Sequence, residues 1–199
     1  MPENAWFVLS PSETGEDEAA ARVRLRRLLD GSFPRADIAV QTEAKLRWFP
    51  SHVTFHCRCE RPETGKARAA GAPGDEVILW IRPRRASCSL HLNIRRQGGC
   101  TISASSVEAA APAVPLAATW KESNRFWSAA VDLPFALLST LLSVETAPDI
   151  GEVWQGNLLR HLQLPEGRIS YAWRPDYGTG SPPLEAAGNL IFLAPELLA

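Results

Sequence analysis

From His52 to Glu60 the chain reads HVTFHCRCE, with apolar side chains at every second position. Val53, Phe55, Cys57 and Cys59 share one parity, while His52, Thr54, His56 and Arg58 share the other. A period of two belongs to an extended strand with one buried face; a helix, whose faces recur about every 3.6 residues, does not produce it. The alternation returns in Val40, Thr42, Ala44, Leu46 and Trp48, and again in Trp127, Ala129, Val131 and Leu133. It also sets Leu90, Leu92 and Ile94 against His91, Asn93 and Arg95. Residues 75–83, DEVILWIRP, are apolar on both parities, as a central strand covered on both faces would be. Pro50-Ser51 and Gln97-Gly98-Gly99 supply turns.

Strands are therefore expected near 39–48, 52–60, 75–82, 88–96, 125–133, 152–161, 168–173 and 189–193, with a short one over 5–9 and a weaker return over 100–107. Residues 18–29 have helical composition, with Val23, Leu25, Leu28 and Leu29 in an imperfect stripe before the stop Asp30-Gly31. The leucine-rich 134–144 reads as a short helix or turn, and 61–74 and 108–118 read as loops. The economical architecture is an all-β antiparallel sandwich, jelly-roll or immunoglobulin-like, with one or two short helices. A length of 199 residues suits a single domain spanning 1–199.

Several function classes are disfavoured by composition and motif. With 21 basic against 22 acidic residues the net charge is −1, so neither nucleic acid nor an anionic membrane is an expected partner. No apolar run is long enough to span a bilayer. The first residues, MPENAWFVLSPSETGEDE, show neither a basic segment nor a continuous apolar one, so no signal peptide is read and the chain as written is expected to be cytoplasmic. His52 and His56 lie on one face of their strand and Cys57 and Cys59 on the other, so these four cannot meet at one tetrahedral metal. Reduced, inward thiols are the expectation, with no metal and no cofactor. There is no G-x-S-x-G elbow, no dinucleotide or phosphate glycine motif, and no carboxylate pair set apart by spacing. A haem would need axial ligands, and Met1 is the sole methionine. A binder is expected rather than an enzyme.

Candidate ligand chemistry gathers toward the end of the chain. Trp154, Asn157 and Arg160 sit in one strand-like segment, and Tyr171 and Trp173 in the next. Aromatic faces that stack on C–H groups, beside amides and guanidinium groups that pair with hydroxyls, are what a sugar site requires. Trp154 and Arg160 have the same parity, so both can face one pocket. The competing reading is that strand tryptophans pack the core, and that Arg160 is a structural tie to a carboxylate. His91, Asn93 and Arg95 form a second set, three hydrogen-bonding groups in a row about 7 Å apart on one strand face.

The segment W-x-G-N-x-x-R (Trp154, Gly156, Asn157, Arg160), then S-Y-A-W-R-P (170–175), then G-N-L-I-F (188–192) resembles the end of the carbohydrate-binding module family 9-like domains, in the wider DOMON-like β-sandwich group. Where that family has F-G, this chain has Ala187-Gly188. The resemblance implies a non-catalytic domain that holds a mono- or oligosaccharide between tryptophan faces. Trp154 or Trp173 would be one wall, and Asn157, Arg160 and Asn93 the hydroxyl readers, with His91 and Arg95 beside Asn93. It also allows a structural calcium at scattered oxygen ligands, and related domains are often secreted. The alternative is a stand-alone β-sandwich scaffold or protein-interaction domain that has lost sugar binding. An open aromatic slot beside Asn93 and Arg160 would favour the first; burial of both tryptophans would favour the second.

Overall fold

The computed structural model describes residues 5–9, 22–24, 26–27, 41–61, 74–96, 99–105, 111–164, 167–173 and 187–193. Outside them lie Val40, the stop at Asp30-Gly31, the turn residues Gln97-Gly98, most of the loop over 61–74, part of that over 108–118, and the Pro/Gly loop after Trp173.

The strands are β1 (Ala5–Leu9), β2 (Arg22–Arg24), β3 (Arg26–Arg27), β4 (Thr42–Trp48), β5 (His52–Glu60), β6 (Glu76–Arg82), β7 (Ser89–Arg95), β8 (Gly99–Ser105), β9 (Val114–Leu116), β10 (Thr119–Glu122), β11 (Phe126–Pro134), β12 (Val153–Leu164), β13 (Gly167–Ala172) and β14 (Gly188–Leu193), with α1 at Phe135–Leu142. One antiparallel layer runs β10-β11-β5-β4, with β2 on β4. The other runs β14-β12-β6-β7-β8-β9, with β13 on the far half of β12. The all-β sandwich expected from the alternation is the observed fold. β1 joins the layers: it runs parallel to β14 over five residue pairs and touches β4 at Leu9–Arg47.

Parity decides which side chains fill the interior. Val53, Phe55, Cys57 and Cys59 of β5 face Leu90, Leu92 and Ile94 of β7 and Val77 and Leu79 of β6 within one continuous buried cluster. Each such side chain contributes roughly 1.5–3 kcal/mol by leaving water. All four cysteines are free thiols, and Cys57 and Cys59 point inward. α1 follows β11 without a side-chain cap at Pro134, and it presses Phe135, Leu138 and Leu142 onto the core. Ser143 ends it in the left-handed conformation.

The helix expected over 18–29 is overturned at its centre, where the described residues form β2 and β3; the rest of that span lies outside the described residues. The apolar stripe there is imperfect, whereas β4 offers a free edge. Arg22–Arg24 pair antiparallel with Lys45, Ala44 and Glu43, so edge pairing overrides a weak local preference. β9 also falls within a segment read as a loop, and its Pro115 sits where proline is tolerated, on an edge strand.

Candidate functional site

β12 is the long strand that positions both predicted residue sets. Even-numbered Trp154, Leu158 and Arg160 point into the sandwich, and odd-numbered Gln155, Asn157, Leu159 and His161 point to the opposite face of the same sheet. Asn157 is three positions after Trp154, an odd offset, so the two cannot share a face.

On the inner side, Trp154 is 1 % exposed, packs on Phe192 with ring centres 4.6 Å apart, and donates from Nε1 to Glu152. Trp173, 7 % exposed, stands edge-on to Trp6 at 5.5 Å and lies over Gly188, where an added Cβ would fall 2.3 Å from its ring. Arg160 has no exposed surface. Its Nε and Nη2 donate to the two oxygens of Asp75, its Nη1 to Thr42 Oγ1 at 2.9 Å, and its Nη2 also to the Glu60 carbonyl at 2.7 Å. Burial alone would favour losing its proton, but hydrogen bonding to Asp75 prevails and the guanidinium is held charged. Trp127 donates to the same carboxylate. Trp154, Trp173 and Arg160 therefore make no open aromatic slot.

The outer face of this sheet holds the other predicted residues. Cross-strand registry places Asn157 opposite Trp80, Trp80 opposite His91, and His91 opposite Ser103. The next row is Leu159, Ile78, Asn93 and Thr101, and beyond it come His161, Glu76 and Arg95. So Asn157, His91, Asn93 and Arg95 are brought to one surface, graded from buried Asn157 to exposed Arg95. His91 Nε2 lies 2.8 Å from Ser105 Oγ, and burial lowers its pKa, leaving a neutral ring that both donates and accepts. His161 bonds Ser170 Oγ at 2.8 Å. Glu76 takes Arg168 at 3.1 Å and Arg95 at 3.5 Å. Among the described residues, two atoms in this face are buried with no hydrogen-bond partner: Trp80 Nε1 and Asn93 Oδ1. They belong to diagonal neighbours across β6 and β7, about 7 Å apart.

Beside this surface a cleft of about 440 Å³ is lined by Arg82, Pro83, Arg84, Gly151, Val153, Gln155 and Asn189. Gln155 pairs with Arg82 on one side and Asn189 on the other, one row along from Asn157 and Trp80. The sequence pattern assigns no ligand role to Trp80 or to the cleft residues. Trp80 lies in a run that is apolar on both parities, so pattern alone could not assign its side; the parity of Gln155 and Asn157 was the available signal. Among the described residues, no three His, Cys, Asp or Glu side chains converge as a metal site needs.

No family model matches the chain, and no curated protein matches it. Solved structures do. A provisionally assigned carbohydrate-binding protein of Bacteroides uniformis superposes with a TM-score of 0.66 at 13% identity, covering 95% of this chain and 99% of that one. A family 9 carbohydrate-binding module of Caldicellulosiruptor kristjanssonii in complex with cellotriose gives 0.61 at 12% identity, covering 96% and 94%. A family 9 module of the same organism in complex with glucose gives 0.60 at 12% identity, covering 96% of each chain. At this identity the likeness is one of fold.

Proposed function

We propose that this chain is a non-catalytic carbohydrate-binding domain whose sugar lies on the outer face of β12, β6, β7 and β8. His91 and Asn93 form its floor above the buried Trp80 and Asn157, and Arg95 its rim. The observation that carries the reading is the pair Trp80 Nε1 and Asn93 Oδ1, a buried donor and a buried acceptor left unpaired on the same side of the sheet. Each unmade hydrogen bond of a buried group costs about 1–3 kcal/mol, so a ligand that supplies both partners gains from a site already desolvated. Saccharide hydroxyls donate and accept, and one ligand can answer both atoms. Trp80 contributes its N–H rather than a stacking face, because the ring is buried. Solved domains of the same fold are in complex with cellotriose and with glucose, which supports the class of ligand.

The test is calorimetric titration, after a glycan screen, of the parent protein and of Asn93→Leu. Removing the buried, unsatisfied Oδ1 with an apolar side chain of similar shape leaves stability unchanged or raised, while affinity falls about tenfold if Oδ1 accepts from the sugar. Affinity kept in Asn93→Leu removes the site. The burial of Trp154 and Trp173 favours a second reading, a β-sandwich scaffold or protein-interaction domain, and a parent protein that binds no glycan would decide for it.

A further inference from the structure

We infer that the cleft between β6, β12 and β14 takes the anionic group of an acidic saccharide, a uronic-acid carboxylate or a sulfate ester; this rests on the carbohydrate reading above. Arg82 and Arg84 both line the cleft, and among the described residues no acidic one does. Glu152, between the lining residues Gly151 and Val153 in sequence, is already committed. One of its oxygens accepts Trp154 Nε1 at 3.0 Å and the other accepts the Asp149 amide at 3.1 Å. Arg61, Arg95, Arg96, Arg160 and Arg168 each meet a carboxylate, whereas among the described residues Arg58, Arg85 and Arg125 do not and lie outside the cleft lining. Among the described residues Arg82 and Arg84 meet none, so the cleft presents two guanidinium groups whose charge is not balanced locally.

The rest of the lining suits a sugar rather than a bare anion. Gln155 and Asn189 face each other across β12 and β14 and offer amide donors and acceptors to hydroxyls. Val153, 38 % exposed, and Pro83 give a small apolar wall for ring C–H groups. The volume lies within the roughly 300–1,000 Å³ of small-molecule sites. A guanidinium presents paired N–H donors in a plane that matches a carboxylate or sulfate edge, which a neutral hydroxyl cannot answer as fully. Arg82 follows Trp80 by two positions on the same strand face, about 7 Å along β6. An acidic residue in the cleft would thus place its neighbour in the same oligosaccharide over Trp80 and Asn157.

The probes are three tetrasaccharides of matched length: tetragalacturonate, a κ-carrageenan tetrasaccharide and uncharged cellotetraose. Each is titrated into the parent protein and into Arg82→Gln/Arg84→Gln, at low and at high salt. The expected result is about tenfold or greater preference for one acidic probe over cellotetraose, weakened by salt and largely lost in the double variant at unchanged melting temperature. Preference for tetragalacturonate assigns the carboxylate, and preference for the carrageenan probe assigns the sulfate ester. Cellotetraose bound as tightly as both acidic probes, or a preference that survives in the double variant, overturns the inference while carbohydrate binding stands. A parent protein that binds none of these probes and no glycan on a broad screen overturns both.

Discussion

Arg160 and Asp75, 85 residues apart in sequence, meet side-on inside the sandwich, Nε to Oδ1 at 2.8 Å and Nη2 to Oδ2 at 2.6 Å. The pair joins β12 to the residue just before β6 and, through Thr42 and Glu60, reaches across to the other layer. A guanidinium with this many fixed acceptors is a tie between sheets.

Arg160→Lys is accordingly expected to cost about 3 kcal/mol of folding stability, because one ammonium cannot span both Asp75 oxygens and still reach Thr42 and Glu60. Asp75→Asn should cost a similar amount by leaving the buried cation uncompensated. Urea denaturation reads both. Glycan affinity of the folded Arg160→Lys protein should match the parent's; lost affinity at full stability would return Arg160 to the ligand site.

Gly188 and Trp173 make a second testable contact. A Cβ at position 188 would stand 2.3 Å from the outer edge of the indole, so Gly188→Ala should destabilise by about 1–3 kcal/mol. Trp173→Phe removes the part of the ring that collides, and in that background the added methyl should be nearly neutral. Equal penalties in both backgrounds would refute the contact.

His161 gives the pH dependence. Burial lowers its pKa to about 4, nearby Arg168 adds to the effect, and Glu76 opposes it. The folded state thus refuses a proton that the unfolded chain accepts below about 6.5. Its contribution is complete above that pH, is lost as pH falls through the interval, and levels off below about 4. Between pH 7 and 5 stability should drop, with a limiting slope of about 1.4 kcal/mol per pH unit per proton. His161→Gln should flatten that slope in urea titrations, and an unchanged slope would count against the assignment.

Thiol chemistry checks the core. Burial raises the pKa of Cys59 and, helped by Cys57, pushes that of Cys100 up to about 11, and Cys57 is fully buried. Cys88 alone of the four is half-exposed. One thiol should therefore react with a thiol-specific reagent in the native protein, and four in denaturant. Rapid modification of more than one thiol under native conditions would contradict the packing.

The strands were legible because each layer has one buried face, and β5, β7 and β11 write that asymmetry directly into alternating residues. The edge strands β2, β3 and β9 were not, since their existence depends on a neighbour's free edge rather than on their own pattern. The shared parity of Trp154 and Arg160 was readable, but parity says only that two residues agree, not which side is inside. That was settled by Asp75, far away in sequence, and by Phe192. Asn93 and His91 could be placed outward from their own strand, whereas their companions Trp80 and Asn157 required the register of β6 against β7 and β12.

The parallel pairing of β1 with β14 has a consequence for how the chain is made. β1 is the earliest strand of the described chain and β14 the latest, and the five residue pairs between them account for nearly all of the ladder that β1 forms. During synthesis β1 therefore has only its single pairing to β4 available until β14 has left the ribosome, and contacts of such wide sequence separation slow the closing step. Nascent chains stopped before residue 188 should keep both layers open along the seam that β1 later seals, and present it to chaperones or to other unfinished copies.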